Sequence, residues 1–166
     1  MPSEAGVRGP IVTRSLLKAS REEVWAMVST ARGINDELWP WFRMTAPRRL
    51  REGGLAEVEI GRRICRSWVL LFGVLPVDYD DITLVRLEPP GGFLERSRTL
   101  SQRTWEHERT LEETPEGCVL TDRITYVPRL RVPDRALRPV YAAVFRHRHR
   151  RLRRRFGGRA LAASGS

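Results

Sequence analysis

The periodicity of apolar and polar positions along this chain changes several times, and each change predicts an element. Ile11 to Lys18 (IVTRSLLK) reads as a first strand. Ser20 then stands as an N-cap with Glu23 three residues on, a capping box that opens a helix over about 21–29 with Val24, Trp25 and Val28 on one face. A second short helix over about 34–39 stops at Pro40, and the aromatic cluster Trp39, Trp41 and Phe42 around that stop is expected in the core, with a pocket wall as the second reading. From Thr45 onward the pattern turns strand-like, with segments at 45–50, 56–64, 66–72, 81–88, 93–98, 102–113 and 117–128. Gly53-Gly54, Gly73, Pro89 to Gly92 and Pro115 to Gly117 punctuate them. A long last helix covers about 134–156. A strand, two short helices, an antiparallel meander and one long helix together describe an α+β domain.

The segments 102–113 and 117–128 form the most readable pair. A tight turn at Pro115-Glu116 sets Leu111 opposite Leu120, Arg109 opposite Asp122, His107 opposite Ile124 and Trp105 opposite Tyr126. Side chains alternate along a strand, so all of these share one face. Glu108–Arg123 and Thr110–Thr121 share the other, which reads as solvated. The first face is apolar except for His107, Arg109 and Asp122, and buried charges are costly unless paired or hydrated. The readings of this trio that stand are a satisfied ion pair, a strand end that reaches water, or the polar handle of a water-filled ligand cavity.

In the last helix, at about 100° per residue, Leu137, Val140, Tyr141, Val144, Phe145, Leu152 and Phe156 fall on one stripe. Arg148 lies near the centre of that stripe, and it either escapes to water or points into the interior as an anion or carbonyl clamp. Arg146, Arg150, Arg153 and Arg154 fall on the opposite side or flanks. The charge changes this picture little. The chain of 166 residues has a formal net charge of +10, and the stretch from Arg146 to Arg159 supplies eight positive charges, so the rest carries only +2. Of 30 basic residues only Lys18 is not arginine.

Cys65 and Cys118 have neither disulfide-framework nor metal-ligand spacing and read as buried small hydrophobes. Asp78, Asp80 and Asp81 in the predicted loop from Gly73 to Asp81 lack the spacing of a calcium loop and read as turn formers. No metal and no cofactor is expected. The first residues, MPSEAGVRGP, lack a signal-peptide pattern, and the longest apolar run, Trp68 to Val77, is too short to span a bilayer. A soluble, cytoplasmic protein is expected. The domain reading is a flexible N-terminus at 1–10, one folded domain over 11–157 and a disordered tail at 158–166.

This order of elements resembles the helix-grip fold of the START-like SRPBCC superfamily, which includes pollen-allergen-type carriers and polyketide cyclases. The resemblance is carried by the first strand and capped helix (IVTRSLLKASREEVWAMVST), the long hairpin (TWEHERTLEE and CVLTDRITYVPR) and the terminal helix (LRPVYAAVFRHRHRRLRRRF), the latter two looking like a bacterial subgroup. It implies a curved, seven-stranded antiparallel sheet gripping the long helix, with an apolar cavity between them.

Three functions follow as expectations. The leading one is binding of a small hydrophobic or aromatic molecule such as a lipid or polyketide, with Trp25, Phe72, Tyr79, Trp105 and Tyr126 as wall residues and His107, Arg109, Asp122 and Arg148 as polar handles. The second is a cyclase or aromatase whose candidate acid/base is His107. The third is nucleic-acid or acidic-surface binding through the outer face of the last helix, against which stands the lack of interleaved aromatics and of a reading motif.

Overall fold

The computed structural model describes residues 6–163 apart from 54, 56 and 57. Eight strands form one antiparallel sheet in the order β2-β3-β4-β5-β6-β7-β1-β8. They are β1 (Arg8–Leu17), β2 (Phe42–Met44), β3 (Arg63–Leu71), β4 (Leu75–Glu88), β5 (Gly92–Thr99), β6 (Gln102–Thr114), β7 (Gly117–Pro128) and β8 (Gly158–Leu161). The helices are α1 (Arg21–Val28), α2 (Ala31–Leu38), α3 (Arg48–Gly53) and α4 (Asp134–Phe156). The sheet is open, with β2 and β8 at its edges, and α4 packs along β1 and against α2. This is the α+β helix-grip arrangement, with eight strands where seven are expected.

The predicted hairpin register holds from Thr104 to Thr114 and shifts by one residue only at the far end, where Gln102 pairs with Pro128. Leu111 pairs with Leu120, Arg109 with Asp122, His107 with Ile124 and Trp105 with Tyr126. The capping box is also present: the Glu23 N–H donates to Ser20 Oγ at 3.2 Å, and the Ser20 N–H donates back to Glu23 Oε2 at 2.9 Å. Helix α4 spans the predicted residues.

Other boundaries differ, for local reasons. The segment 45–50 is no strand: Pro47 immediately precedes α3, its carbonyl accepting from the N–H groups of Leu50 and Arg51. Proline is preorganised for a first helical turn and has no N–H to lose there. The segments 56–64 and 66–72 give one strand, which begins at Arg63; residues 56 and 57 lie outside the described ones. The predicted loop from Gly73 to Asp81 shortens to a tight turn, because β4 already starts at Leu75. At the termini, β1 begins at Arg8 rather than Ile11, and Gly158–Leu161 pairs with β1 where a disordered tail is expected. The tail is recruited because β1 has a free edge and backbone groups there gain partners.

Of the aromatic cluster at the end of α2, neither tryptophan is core, while Phe42 is half-buried and lines a cavity. Trp39 and Trp41 are about half exposed, and Trp41 packs against Phe72 and His147 at the surface. The apolar interior has three centres. One joins α1, the β6–β7 hairpin and Leu152 of α4; a second joins Ile11, Ile124 and Tyr126 to Phe145; a third lies under Ile64, Leu84 and Phe93. Among the described residues no helix is long and apolar enough to cross a membrane.

Candidate functional site

A cavity of about 340 Å³ lies between the concave face of the sheet and α4. Its walls are mainly apolar, from Val28, Ile34, Leu38, Leu84, Phe93, Trp105, Val144 and Phe145 among others. The alternation of β6 turns Trp105, His107 and Arg109 onto it. Two glycines let backbones approach closely enough to build this wall. A Cβ at Gly92, whose φ is +144°, would lie 2.0 Å from the Arg109 carbonyl oxygen, so only glycine lets β5 pair with β6 there. A Cβ at Gly33 would lie 2.0 Å from the Met27 carbonyl oxygen, so glycine seats α2 directly on α1. One helical turn later, Glu37 points into the interior and is fully buried.

Glu37 organises a buried chain of charges. Arg109 donates through Nη1 and Nη2 to both Glu37 oxygens, each at 2.9 Å. The same guanidinium donates through Nε and Nη2 to the two Asp122 oxygens, each at 2.7 Å. Arg148 donates through Nε to Glu37 at 2.9 Å. Two histidines complete the surroundings of Asp122: His107 Nε2 lies 2.8 Å from Oδ1, and His149 Nε2 lies 3.1 Å from Oδ2. His149 Nδ1 reaches Ser15 Oγ at 2.9 Å. Two carboxylates thus balance two guanidiniums, and each carboxylate oxygen has at least one donor.

The electrostatics follow from this alternation. Burial by itself would raise the pKa of Asp122, but Arg109 and His107 outweigh it and hold the carboxyl well below the usual Asp range. Burial likewise opposes ionisation of Glu37, and Arg109 with Arg148 overcomes it, leaving the pKa lowered. Burial would lower Arg109, but Asp122 and Glu37 raise it well above its ordinary value.

A second polar group lies on the β4–β5 side. Asp80 is 7% exposed and has a buried Oδ1 with no hydrogen-bond partner among the described residues. Burial, then the neighbouring Glu95 carboxyl, pushes its pKa well above the usual Asp range. Glu95 accepts from Ser97 Oγ at 2.6 Å and lies 4.0 Å from His107 Nδ1. His107 therefore spans the two groups, its ring flanked edge-on by Phe93 and Phe145, each at 5.1 Å.

Of the nine residues proposed from sequence, Tyr79, Trp105, His107, Arg109 and Arg148 line the cavity. Tyr79 does so although its ring packs on Trp68 at 5.7 Å beneath the Arg66 guanidinium. Asp122 sits one layer behind, fully buried. The other three are displaced. Trp25 belongs to the packing between α1 and the sheet. Phe72 is 57% exposed at the β3–β4 turn, with φ +51°. Tyr126 points toward the N-terminal end of α4, its hydroxyl donating to Asp134 at 2.5 Å. The question posed by Arg148 is settled inward, since it is 8% exposed and bound to Glu37. Glu37, Glu95, Gln102 and His149 are not singled out by sequence, and Asp80 is read there only as a turn former. His149 carried a signal, lying four residues after Phe145 and three before Leu152 on the apolar stripe. The outer face of α4 exposes Arg146, Arg150 and Arg154 as expected, while Arg153 is half-buried and donates to Ser15 Oγ at 2.8 Å.

The architecture is the START-like helix-grip fold, and known structures share it. A Chromobacterium violaceum protein, CV1439, superposes with a TM-score of 0.67 at 14% identity, over 90% of this chain and 99% of that one. A START superfamily protein from Mycobacterium smegmatis gives 0.64 at 11% identity, over 89% and 97%. The di-domain ARO/CYC StfQ of the steffimycin biosynthetic pathway gives 0.63 at 13% identity, covering 89% of this chain and 50% of that one. No curated protein matches in sequence. The chain belongs to the family described as a domain of unknown function, DUF8410, whose model matches residues 15–156.

Proposed function

We propose that the protein binds a small hydrophobic or aromatic molecule in the cavity between the sheet and α4. The observation that carries this reading is the cavity's composition: about 340 Å³ of mostly apolar wall with a few buried, oriented polar groups. Trp105 supplies aromatic surface, and Arg148 and His107 orient polar atoms of the ligand. The charge chain behind them keeps their side chains in one geometry, which lowers the ordering cost of binding. The neutral fluorescent probe N-phenyl-1-naphthylamine should bind saturably, and Trp105→Leu should weaken it by about tenfold through lost aromatic contact. Absence of saturable binding by the wild type overturns the proposal.

One observation favours a second reading, a cyclase- or aromatase-type reaction. Asp122 engages His107 through Nε2, while Nδ1 lies on the side of Glu95 and the cavity. A carboxylate holding one ring nitrogen leaves the other to act as acid or base. The likeness to the ARO/CYC protein StfQ agrees with it. Turnover of candidate polyketides by wild type and His107→Ala discriminates: equal rates remove His107 from the chemistry.

A further inference from the structure

Gln102 and Asp80 both line the cavity, both are more than nine-tenths buried, and each has an oxygen without a donor among the described residues. They are neighbours through Thr99, which pairs with Asp80 in the β4–β5 ladder and whose Oγ1 accepts from the Gln102 N–H at 2.9 Å. The other end of the Gln102 amide is committed, Nε2 donating to the Tyr141 hydroxyl at 2.7 Å. Buried acceptors of this kind are rare in folded proteins and cost stability unless something donates to them.

The charges around this end of the cavity are unbalanced. From β4 it receives Asp78 and Asp80, from β5 Glu95, from β6 His107 and Arg109, and from α4 Tyr141 and Arg148; the Cys65 thiol of β3 feels the Asp80 charge from the side, with Arg49 and Arg63 nearby. Arg109 and Arg148 are the only arginines among the described residues lining the cavity, and Glu37 and Asp122 neutralise them. Asp78 is held by donors of the β5–β6 turn, the Leu100 N–H at 2.8 Å and Ser101 Oγ at 2.5 Å. Among the described residues neither Asp80 nor Glu95 is paired with an arginine of the cavity lining, and the basic side chain beside Glu95 is His107, 4.0 Å away.

We propose that Asp80, Glu95 and the Gln102 amide form the acidic end of the cavity and take the protonated amine of an otherwise aromatic ligand. An ammonium offers several donors at once, enough for Asp80 Oδ1, Gln102 Oε1 and a Glu95 oxygen, whereas a hydroxyl offers one. It also supplies a positive charge beside Asp80, whose carboxyl burial and the Glu95 neighbour hold in the protonated form, so the Asp80 proton is released to solvent on binding. Trp105 and Tyr141, in edge contact at 5.1 Å, provide aromatic surface on the same side. This deepens the cavity-binding reading and rests on it.

The test is calorimetric titration of a matched set: 2-(aminomethyl)naphthalene, 2-naphthalenemethanol and 2-naphthoate, with N-phenyl-1-naphthylamine as the neutral reference. The wild type should bind the amine at least about tenfold more tightly than the alcohol, as expected for charge-assisted bonds replacing neutral ones. In buffers of different ionisation enthalpy, amine binding should release protons and alcohol binding should not. In Asp80→Asn and Glu95→Gln, each checked for native circular dichroism, the amine-to-alcohol ratio should fall toward one and proton release should shrink. If the reference binds but the amine shows no preference, or naphthoate binds best, the amine inference is overturned while the cavity reading stands. If neither the reference nor the amine binds, both are overturned.

Discussion

Arg109 and Asp122 face each other across the β6–β7 hairpin, joined by two hydrogen bonds of 2.7 Å with both side chains fully buried. Around this pair, His107 and His149 flank Asp122, and Glu37 accepts from the other edge of the Arg109 guanidinium. One planar cation thus serves four carboxylate oxygens. Replacing it by a hydrophobe leaves two buried anions with too few donors, so Arg109→Met should lower the unfolding free energy by about 3–5 kcal/mol. Arg109→Lys should recover little of this, because an ammonium cannot present a planar fork to two carboxylates. Urea denaturation checks both; a loss below about 1 kcal/mol in Arg109→Met, the range of an exposed pair, would show that the chain of charges contributes little.

Two opposite pH dependences should coexist. Glu37 and Asp122 have lowered folded-state pKa values, so their contribution is fully present above the ordinary carboxylate values of 4.5 and 3.8 and is lost as pH falls through the folded values. Asp80 has a raised folded-state pKa, so it withdraws stability as pH climbs above 3.8. Asp80→Asn should therefore melt at a higher temperature than wild type at neutral pH, and the gap should close below pH 3.8. A variant less stable than wild type at neutral pH would contradict the assignment of Asp80 as a strained acid.

His149 should matter for stability although it is outside the cavity lining. It bridges Ser15 and Asp122, tying α4 to β1 and to the hairpin. His149→Ala should cost about 1–3 kcal/mol, the penalty of leaving buried partners short of a bond. Thermal or chemical denaturation reads it directly.

The hairpin was legible in sequence because a two-residue turn and a period of two leave one register in which Arg109 meets Asp122 and Glu108 meets Arg123. Helix α4 was legible for a similar reason, its stripe being continuous over many turns. Glu37 was not, because its burial comes from how α2 docks on α1 at Gly33 and beneath α4, a relation that no local pattern encodes. The Asp78–Asp81 segment misled because acidic residues ordinarily favour turns. Here Asp81 finds Arg66 on the outer face at 2.8 Å while Asp80 turns inward to the cavity, so the segment continues as a strand. Phe72 misled by its hydrophobicity alone, since it occupies a turn in the left-handed region.

That displacement of Phe72 is itself testable. Its backbone at φ +51° suits Asn or Gly better than an aromatic residue. Phe72→Asn should leave probe affinity within about twofold of wild type, less than the roughly 0.5 kcal/mol typical of a surface change, and should not lower the melting temperature. A large loss of affinity in a fluorescence titration would return Phe72 to the binding site.

Occupancy of the cavity itself is the central claim. Val144 projects from α4 into the cavity, so Val144→Trp should fill the space without removing any polar partner. Titrating N-phenyl-1-naphthylamine into both proteins, with folding verified by circular dichroism, tests the claim most directly. The account predicts saturable one-to-one binding by the wild type and its loss in Val144→Trp. Equal binding by the two proteins, or none by the wild type, would contradict it.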